Sequence, residues 1–334
     1  MQMEGCNRRR LLTLLARGAA AWPLAARAQP AERVRRIGWL DAGAETDELS
    51  RASRAALAQG LAPMGWIDGR NLKIDHRFGA GDAERMRSAA AELVALAPDL
   101  IIGSGAAATR ALQRETPTIP IVFAGGGDAA AIGLVKDIVH PEGNATGFSS
   151  AEPAIAGKWL ELLKQAAPQL ARVAVVFNPD LAPTAPNYLT VIEPAARTLA
   201  VQVIKTPFRD SIELVRAIDA FAAKPNGGLL VLPPPLIPER ATIIKLAVQH
   251  RLPAVYTQRG LAAAGGLLAY GADFVEQHRR AAAYVDRILR GAKVSELPVQ
   301  FPTKYLLVIN MKTAKAIGLA IPEDFLLQAD ELIE

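Results

Sequence analysis

Two short apolar runs joined by a helix-forming segment constrain the fold of this chain more than any other feature. Residues 100–102 are apolar and lead into a turn at Gly103, and residues 121–123 are apolar and lead into a turn at Gly125. The segment between them has helix-forming composition and is stopped by two prolines. Two buried strands joined by a helix form a βαβ unit, which requires a parallel sheet. Because ligands of such sheets bind beyond the carboxyl ends of the strands, both glycine turns predict one wall of a binding site.

The same alternation of strand and helix patterns continues on both sides of this unit. Upstream, strand patterns at 35–40 and 71–78 are each followed by a segment with apolar residues at helical spacing. Residues 141–150 are small, polar and glycine-rich, as in a crossing between domains, and the strand–helix pattern restarts beyond them. The sequence therefore predicts an α/β fold with two doubly wound parallel-sheet lobes.

The segment after residue 264 contains too few elements to bury a core of its own. We expect it to complete the two earlier sheets, so that the chain crosses between the lobes more than once and forms a multi-crossing hinge. The predicted N-terminal lobe is 33–147 plus 272–300, and the predicted C-terminal lobe is 148–271 plus 301–334.

Residues 1–28 have the anatomy of an export signal peptide. A positive start, RRR at 8–10, precedes a mostly apolar segment, and ARA at 26–28 is a small-x-small cleavage motif. The pattern Arg8-Arg9-x-Leu11-Leu12 also fits a twin-arginine signal. A cytoplasmic amphipathic extension is the alternative. Cleavage after Ala28 would place the mature protein in a bacterial periplasm, without the chain's single cysteine, Cys6.

The basic charge balance comes mainly from the same leader. Five arginines and one glutamate lie in residues 1–28, so without them the formal net charge falls from +5 to +1. The remainder carries no basic stripe, which argues against nucleic acid as a partner. The apolar part of the leader is too short to span a bilayer, so we expect a mature form that is not membrane-embedded. We also expect this mature form to be a monomer.

Residues 103–108 match the dinucleotide motif G-x-G-x-x-A, but the match is weak because it follows the third strand of its lobe and not the first. A helix N-terminus with small residues remains suited to an anion, which it favours by ~0.3–1 kcal/mol. A tight structural turn is the alternative.

Metal and catalytic chemistry find little support in the sequence. The four histidines stand far apart without metal-ligand spacing, and a solvated or structural role fits each of them better: His76, His140, His250 and His278. No G-x-S-x-G motif is present, and Ser104 has no evident base. We therefore predict no catalytic residue, no metal and no cofactor.

Polar residues at the ends of predicted strands are better candidates for ligand contacts. Asp128 could accept a ligand ammonium, and Arg259 could bind a carboxylate through two parallel hydrogen bonds. The alternatives are structural, with Asp128 capping the next helix and Arg259 a solvated loop charge. The predicted strand-end residues are Asp41, Asp128, Asn178, Tyr256 and Arg259.

Motifs over nearly the whole chain resemble those of the ABC-transporter substrate-binding proteins, whose better-understood members bind tryptophan or related amino acids. The resemblance implies the type 1 periplasmic binding fold. It is carried by TIPIVFAGGGDAAAIGLV (118–135), PEGNATGFSS (141–150), KWLELLKQAAP (158–168), HRLPAVYTQRGLAAAGGLLAYG (250–271), LPVQFPTKYLLVINMKTAKAIGL (297–319) and IPEDFLLQADELIE (321–334).

Carried over residue by residue, the resemblance implies pocket contacts from Ser104, Gly105, Asp128, Phe148, Ser149, Asn178, Tyr256 and Arg259. The predicted ligand-binding set is completed by Asp41, Ala106, Gly125, Thr184 and Pro234. The function implied is a periplasmic receptor that closes its lobes on a small polar solute, such as an amino acid or aromatic acid, and delivers it to ABC permease subunits. The alternatives are an exported α/β enzyme that uses the same cleft and a ligand receptor for a membrane sensor.

Overall fold

A computed structural model describes residues 33–150, 152–180, 182, 184–233 and 239–334. The predicted signal peptide at 1–28 and the predicted ligand contact Pro234 lie outside these described residues. Residues 35–334 belong to one unit that contains two sheets. Within the described part of the chain, no helix is both long and apolar enough to cross a membrane.

The N-terminal lobe is built on a five-stranded, wholly parallel sheet. Its elements are β1 (Arg35–Asp41), α1 (Glu48–Leu61), β2 (Leu72–Phe78), α2 (Ala83–Ala95), β3 (Leu100–Ser104), α3 (Ala106–Glu115), β4 (Ile121–Ala124) and β5 (Ala145–Phe148). The strand order is β2-β1-β3-β4-β5. The outer strands β2 and β5 lie on opposite sides of β1, so the sheet is doubly wound.

The rest of the chain forms a seven-stranded sheet and its helices. The elements are α4 (Ile155–Ala166), β6 (Arg172–Phe177), α5 (Ala185–Thr198), β7 (Gln202–Pro207), α6 (Ser211–Ala222), β8 (Gly227–Val231), α7 (Arg240–Gln249), β9 (Ala254–Tyr256), α8 (Arg259–Ala263), β10 (Leu268–Ala272), α9 (Phe274–Leu289), β11 (Tyr305–Asn310), α10 (Met311–Ile317), α11 (Glu323–Leu326) and β12 (Glu331–Ile333). The strand order is β12-β11-β10-β9-β8-β6-β7.

The α/β fold of two doubly wound lobes is confirmed, with two departures from the sequence-based expectation. First, β11 pairs antiparallel with β10, so the second sheet is mixed. Second, the segment 141–150, expected to be a crossing loop, contains the strand β5. The sequence does not show a strand pattern there because one position must be glycine. Gly147 lies so close to β4 that an added Cβ would sit 2.0 Å from the Phe123 carbonyl oxygen. A strand that requires glycine at such a point does not show the usual β-branched composition.

Helix α9 returns from the second sheet to cover the first. Its N-cap Asp273 accepts a hydrogen bond from the amide of Glu276, and its buried face packs against α1 and the ends of β3, β4 and β5. This face contains two polar side chains, Gln277 and His278, besides its apolar residues. Polar groups on a buried helix face require partners, and both of these lie near the carboxyl ends of the strands.

Three crossings join the two sheets and run side by side. The first follows β5, the second joins β10 to α9, and the third returns before β11. The amide of Ser149 donates to the carbonyl of Gln300 (2.8 Å), and the amide of Gln300 donates to the carbonyl of Gly147 (2.9 Å). Lys304 forms an ion pair with Asp273 at 3.1 Å. The multi-crossing hinge predicted from the sequence is therefore present and cross-linked by hydrogen bonds.

We predict that Gly147→Ala lowers the free energy of unfolding by at least ~1–3 kcal/mol, because the Cβ meets the β4 backbone. Gly157→Ala is the matched control. Gly157 lies inside α4, where the nearest atom to an added Cβ is 3.6 Å away, so the change should stabilise by ~0.5–1 kcal/mol. Urea unfolding of the two variants measures the difference, and equal midpoints would contradict the close approach of β5 to β4.

Candidate functional site

The turns after β1, β3 and β4 lie side by side at the carboxyl edge of the first sheet. The amide of Ala42 donates to the carbonyl of Ser104 (3.1 Å), and the amide of Gly105 donates to the carbonyl of Ala124 (2.9 Å). Gly105 and Gly125 have φ values of +91° and +81°, which allow the chain to turn sharply there. Four predicted contacts are thus brought together at one edge: Ser104, Gly105, Ala106 and Gly125.

Asp41 lies at the end of β1, directly beside Ser104 in the sheet register. The side chain is buried, with 5% of the residue surface exposed. Oδ1 accepts a hydrogen bond from the amide of Gly43 at 2.9 Å. Oδ2 is buried and has no hydrogen-bond partner among the residues that the structure describes. A buried carboxylate oxygen without a partner is costly and indicates that a further donor belongs here.

His278, for which the sequence favoured a solvated or structural role, reaches this edge from α9. His278 is fully buried, and its Nε2 lies 3.2 Å from the hydroxyl oxygen of Ser104. Its Nδ1 lies 2.8 Å from the carbonyl oxygen of Phe274. Burial lowers the pKa of His278, partly opposed by the bond to Phe274 and by the nearby Asp41. The ring is therefore neutral at pH 7.

Trp39 separates this histidine from a second one. The indole stacks on the ring of His278 (centroids 5.2 Å apart, 12° between planes) and also contacts the ring of His76 at 5.7 Å. Burial lowers the pKa of His76. Nothing in the described ranges gathers three or more His, Cys, Asp or Glu side chains as a metal site would require.

Asp128 caps the turn that follows β4. Its Oδ1 accepts hydrogen bonds from the amides of Ala130 and Ala131, both at 3.1 Å, so the residue has a structural role, although the segment that it caps is a turn and not the expected helix. The Asp128 carboxylate also has an electrostatic effect on a residue of the C-terminal lobe. Burial and the nearby Asp128 together raise the pKa of Tyr188, in α5, to about 12. The Asp128 charge therefore acts electrostatically on a hydroxyl of the C-terminal lobe.

Phe148 and Ser149 lie at the first crossing and are almost wholly buried. The hydroxyl of Ser149 accepts from the amide of Ala129 (3.1 Å), and its carbonyl accepts from Nε2 of Gln277 (2.6 Å). The Phe148 ring lies 5.0 Å from the ring of Tyr284. These contacts attach the crossing to the turn after β4 and to α9.

The predicted contacts of the second lobe occupy several positions. After β6, Asn178 accepts through Oδ1 from the amide of Asp180 at 2.9 Å, which fixes the turn. Thr184 precedes α5 and makes no side-chain capping bond. Tyr256 is 1% exposed, and no partner for its hydroxyl is found within the described ranges. Burial raises the pKa of Tyr256, whose ring packs against Gly266 inside the lobe.

Arg259, expected to bind a ligand carboxylate, already binds a carboxylate of the protein. Its Nε and Nη2 donate to the two carboxylate oxygens of Glu331 at 2.7 and 2.8 Å. This pair raises the pKa of Arg259, and Glu48 of the N-terminal lobe raises it further. The bidentate geometry predicted for a ligand is thus formed with Glu331 of β12.

The residues divide into two groups by lobe. The first sheet edge collects five of the predicted contacts with Asp128 beside them, and Phe148 and Ser149 lie at the first crossing. The second lobe contributes Asn178, Thr184 and Arg259 around the ends of β6 and β9. Tyr256 points into its own lobe. Two open surface grooves, of about 450 and 420 Å³, lie beside the edge strands β2 and β7, and their lining includes none of the predicted contacts.

The predicted set of ligand-binding residues did not include Glu48, Tyr188 or His278. Tyr188 falls one helical turn after Thr184, so its proximity to the strand ends was available from helix spacing. The helix that contains His278 falls within the predicted N-terminal lobe, but its contact with Ser104 was not predicted, because it joins residues far apart in sequence.

The family model of ABC transporter substrate binding proteins matches residues 45–333 of this chain. A tyrosine-binding protein from Clostridioides difficile is 25% identical over 281 residues, which cover 82% of this chain and 79% of that protein. Proteins of this family are solute-binding proteins, not enzymes, and they work in the periplasm or outside the cell with a small-molecule solute and a permease as partners.

Two solved structures resemble the chain over 90% of its length. A conserved domain protein from Vibrio cholerae has a TM-score of 0.76 at 26% identity and is covered completely. An ABC domain from Streptococcus pneumoniae in complex with L-Trp has a TM-score of 0.77 at 23% identity, with 99% of that chain covered. The fold is that of the type 1 periplasmic binding proteins. Because the family match spans most of both lobes, this chain belongs to the family of ABC transporter substrate-binding proteins.

Proposed function

We propose that this substrate-binding protein captures an amino acid between its lobes in the periplasm and releases it to its ABC permease. The observation that carries the proposal is that carboxylates of the N-terminal lobe act electrostatically on ionisable groups of the C-terminal lobe. Asp128 acts on Tyr188, and Glu48 acts on Arg259. A zwitterionic ligand needs acceptors and donors on facing surfaces, and these groups supply both.

The mechanism is closure around the hinge formed by the three crossings. A ligand that touches both lobes binds the closed form more tightly than the open form, so it shifts the population toward closure by that difference in affinity. The crossings are joined to each other by hydrogen bonds between Ser149, Gln300 and Gly147, which favours bending of the hinge as one piece. No chemical step is part of this function.

Relatives support an amino-acid ligand. One relative is named as a tyrosine-binding protein, and one neighbour in fold contains L-Trp. We extend this ligand class to the present chain, in the mature form that begins after Ala28 and acts as a monomer.

A thermal-shift screen of the mature protein tests the ligand class. The screen contains amino acids, nucleobases, aromatic acids and small peptides. A true ligand present at about one hundred times its dissociation constant should stabilise the protein by ~2.7 kcal/mol. A hit confined to nucleobases or peptides would contradict the amino-acid assignment, and chemical turnover of the hit would favour the exported enzyme instead.

Substitution of Asp128 separates its capping role from its binding role. Asp128→Asn keeps an oxygen for the amides of Ala130 and Ala131 but removes the charge. We expect the affinity for the screen's amino-acid hit to fall about tenfold while the unfolding free energy changes by less than ~0.5 kcal/mol. Asp128→Ala should lose the same affinity and also about 1 kcal/mol of stability. Calorimetric titration and urea unfolding measure the two effects.

Arg259→Ala should likewise lower the affinity for the amino-acid hit, because it removes the guanidinium group and leaves the Glu331 carboxylate without this partner. The protein should remain folded, because Arg259 is exposed. Arg197→Ala, at the exposed C-terminal end of α5, is the matched control and should bind as the wild type does. If the Asp128 and Arg259 variants all retain wild-type affinity, the polar contacts proposed for this site are wrong.

The export route has its own test. Replacing Arg8 and Arg9 by lysine keeps the positive charge that general secretion requires but removes the twin-arginine pair. We expect periplasmic protein to disappear in the double variant, and mass spectrometry of the wild-type periplasmic protein to give Gln29 as the first residue. Unchanged export of the double variant would indicate the general route.

A further inference from the structure

We propose that Asp41 and Ser104 form an ammonium subsite, with His278 as the residue that turns Ser104 into a hydrogen-bond acceptor. The inference rests on the proposed amino-acid function and specifies which part of the ligand the N-terminal lobe takes. It follows from the hydrogen-bonding capacities of four groups near the ends of β1 and β3: the His278 ring, the Phe274 carbonyl, the Ser104 hydroxyl and the Asp41 carboxylate.

The first step concerns the protons of the His278 ring. Its Nδ1 lies 2.8 Å from the carbonyl oxygen of Phe274, which can only accept, so Nδ1 carries a hydrogen. Because burial lowers the pKa of this histidine, the ring is neutral and Nε2 has a lone pair but no hydrogen. Stacking on Trp39 fixes the plane of the ring.

The second step concerns the hydroxyl of Ser104. It lies 3.2 Å from Nε2 of His278, which can only accept, so the serine donates its single hydrogen there. The lone pairs of the serine oxygen are then the groups that remain for a ligand, and Ser104 is only partly buried. A ligand atom that binds Ser104 must therefore be a donor. A ligand carboxylate is not accepted at this hydroxyl.

The third step concerns the neighbouring carboxylate. The register pairs Asp41 with Ser104, so both side chains project from the same face of the sheet at its carboxyl edge. Oδ1 of Asp41 is held by the amide of Gly43, while the buried Oδ2 has no partner in the described part of the chain. Two acceptors, one of them charged, thus stand at one edge. An ammonium group donates up to three hydrogen bonds and carries the complementary charge.

The tautomer of His278 provides a test without any ligand. The mature protein, labelled with ¹⁵N-histidine, is measured by NMR at pH 7, and the His278 signals are assigned by their loss in His278→Asn. We expect a protonated Nδ1 and an unprotonated Nε2, with the Nε2 signal moving in Ser104→Ala because its hydrogen bond is lost. A hydrogen on Nε2 would overturn the proposal, because Ser104 would then be free to donate to a ligand.

The second test compares three ligands that differ in one charged group. L-Tryptophan, tryptamine and indole-3-propionate are titrated calorimetrically, together with the corresponding tyrosine set. Wild-type protein should bind the amino acid at least about tenfold more tightly than the deaminated acid. Asp41→Asn keeps an oxygen for Gly43 and should weaken the amino acid and the amine at least about tenfold, while binding of the deaminated acid changes by less than about twofold. Asp324→Asn, an exposed acid on α11, is the control.

The outcomes separate the two proposals. If L-tryptophan or L-tyrosine binds but the deaminated acid binds equally well, or if Asp41→Asn weakens all three ligands alike, the ammonium subsite is wrong and the amino-acid function stands. If no member of either set binds while another class of solute does, the amino-acid function fails, and the subsite fails with it.

Discussion

One buried serine holds the site to the hinge. Ser149 bonds through its hydroxyl to the turn after β4, through its carbonyl to Gln277 of α9, and through its amide to Gln300 of the returning crossing. The residue is fully buried, so each bond forms away from competing water and its loss would leave an unpaired polar group. The positions of Asp128 and of α9 relative to the crossings depend on these bonds.

The geometry of the N-terminal edge follows from parallel register. Asp41 and Ser104 are neighbours because β1 and β3 run in the same direction and end together. Helix α9 comes from a remote part of the chain and delivers His278 to Ser104 at the same edge. Strand register thus places Asp41 beside Ser104, and the crossing between the lobes supplies the hydrogen-bond partner of Ser104.

The alternation of strands and helices was predictable because each element carries its own periodicity. The strand β5 was not, because its glycine meets a neighbouring backbone that only the folded chain provides. At the site, strand-end residues were predictable from sheet geometry. The pairing of Arg259 with Glu331 and the contact of Ser104 with His278 were not, since each joins residues far apart in sequence.

If the ligand carboxylate binds Arg259 as proposed, the Glu331 carboxylate competes with it for that side chain. A carboxylate that reaches Arg259 must displace one that is tethered to the same chain, and tethered groups act at effective concentrations on the order of millimolar or more. A neutral solute cannot replace the ion pair between Arg259 and Glu331, whereas an anionic solute forms a new ion pair with Arg259. This intramolecular competition would leave weakly binding solutes unbound, so that only solutes of higher affinity would be presented to the permease.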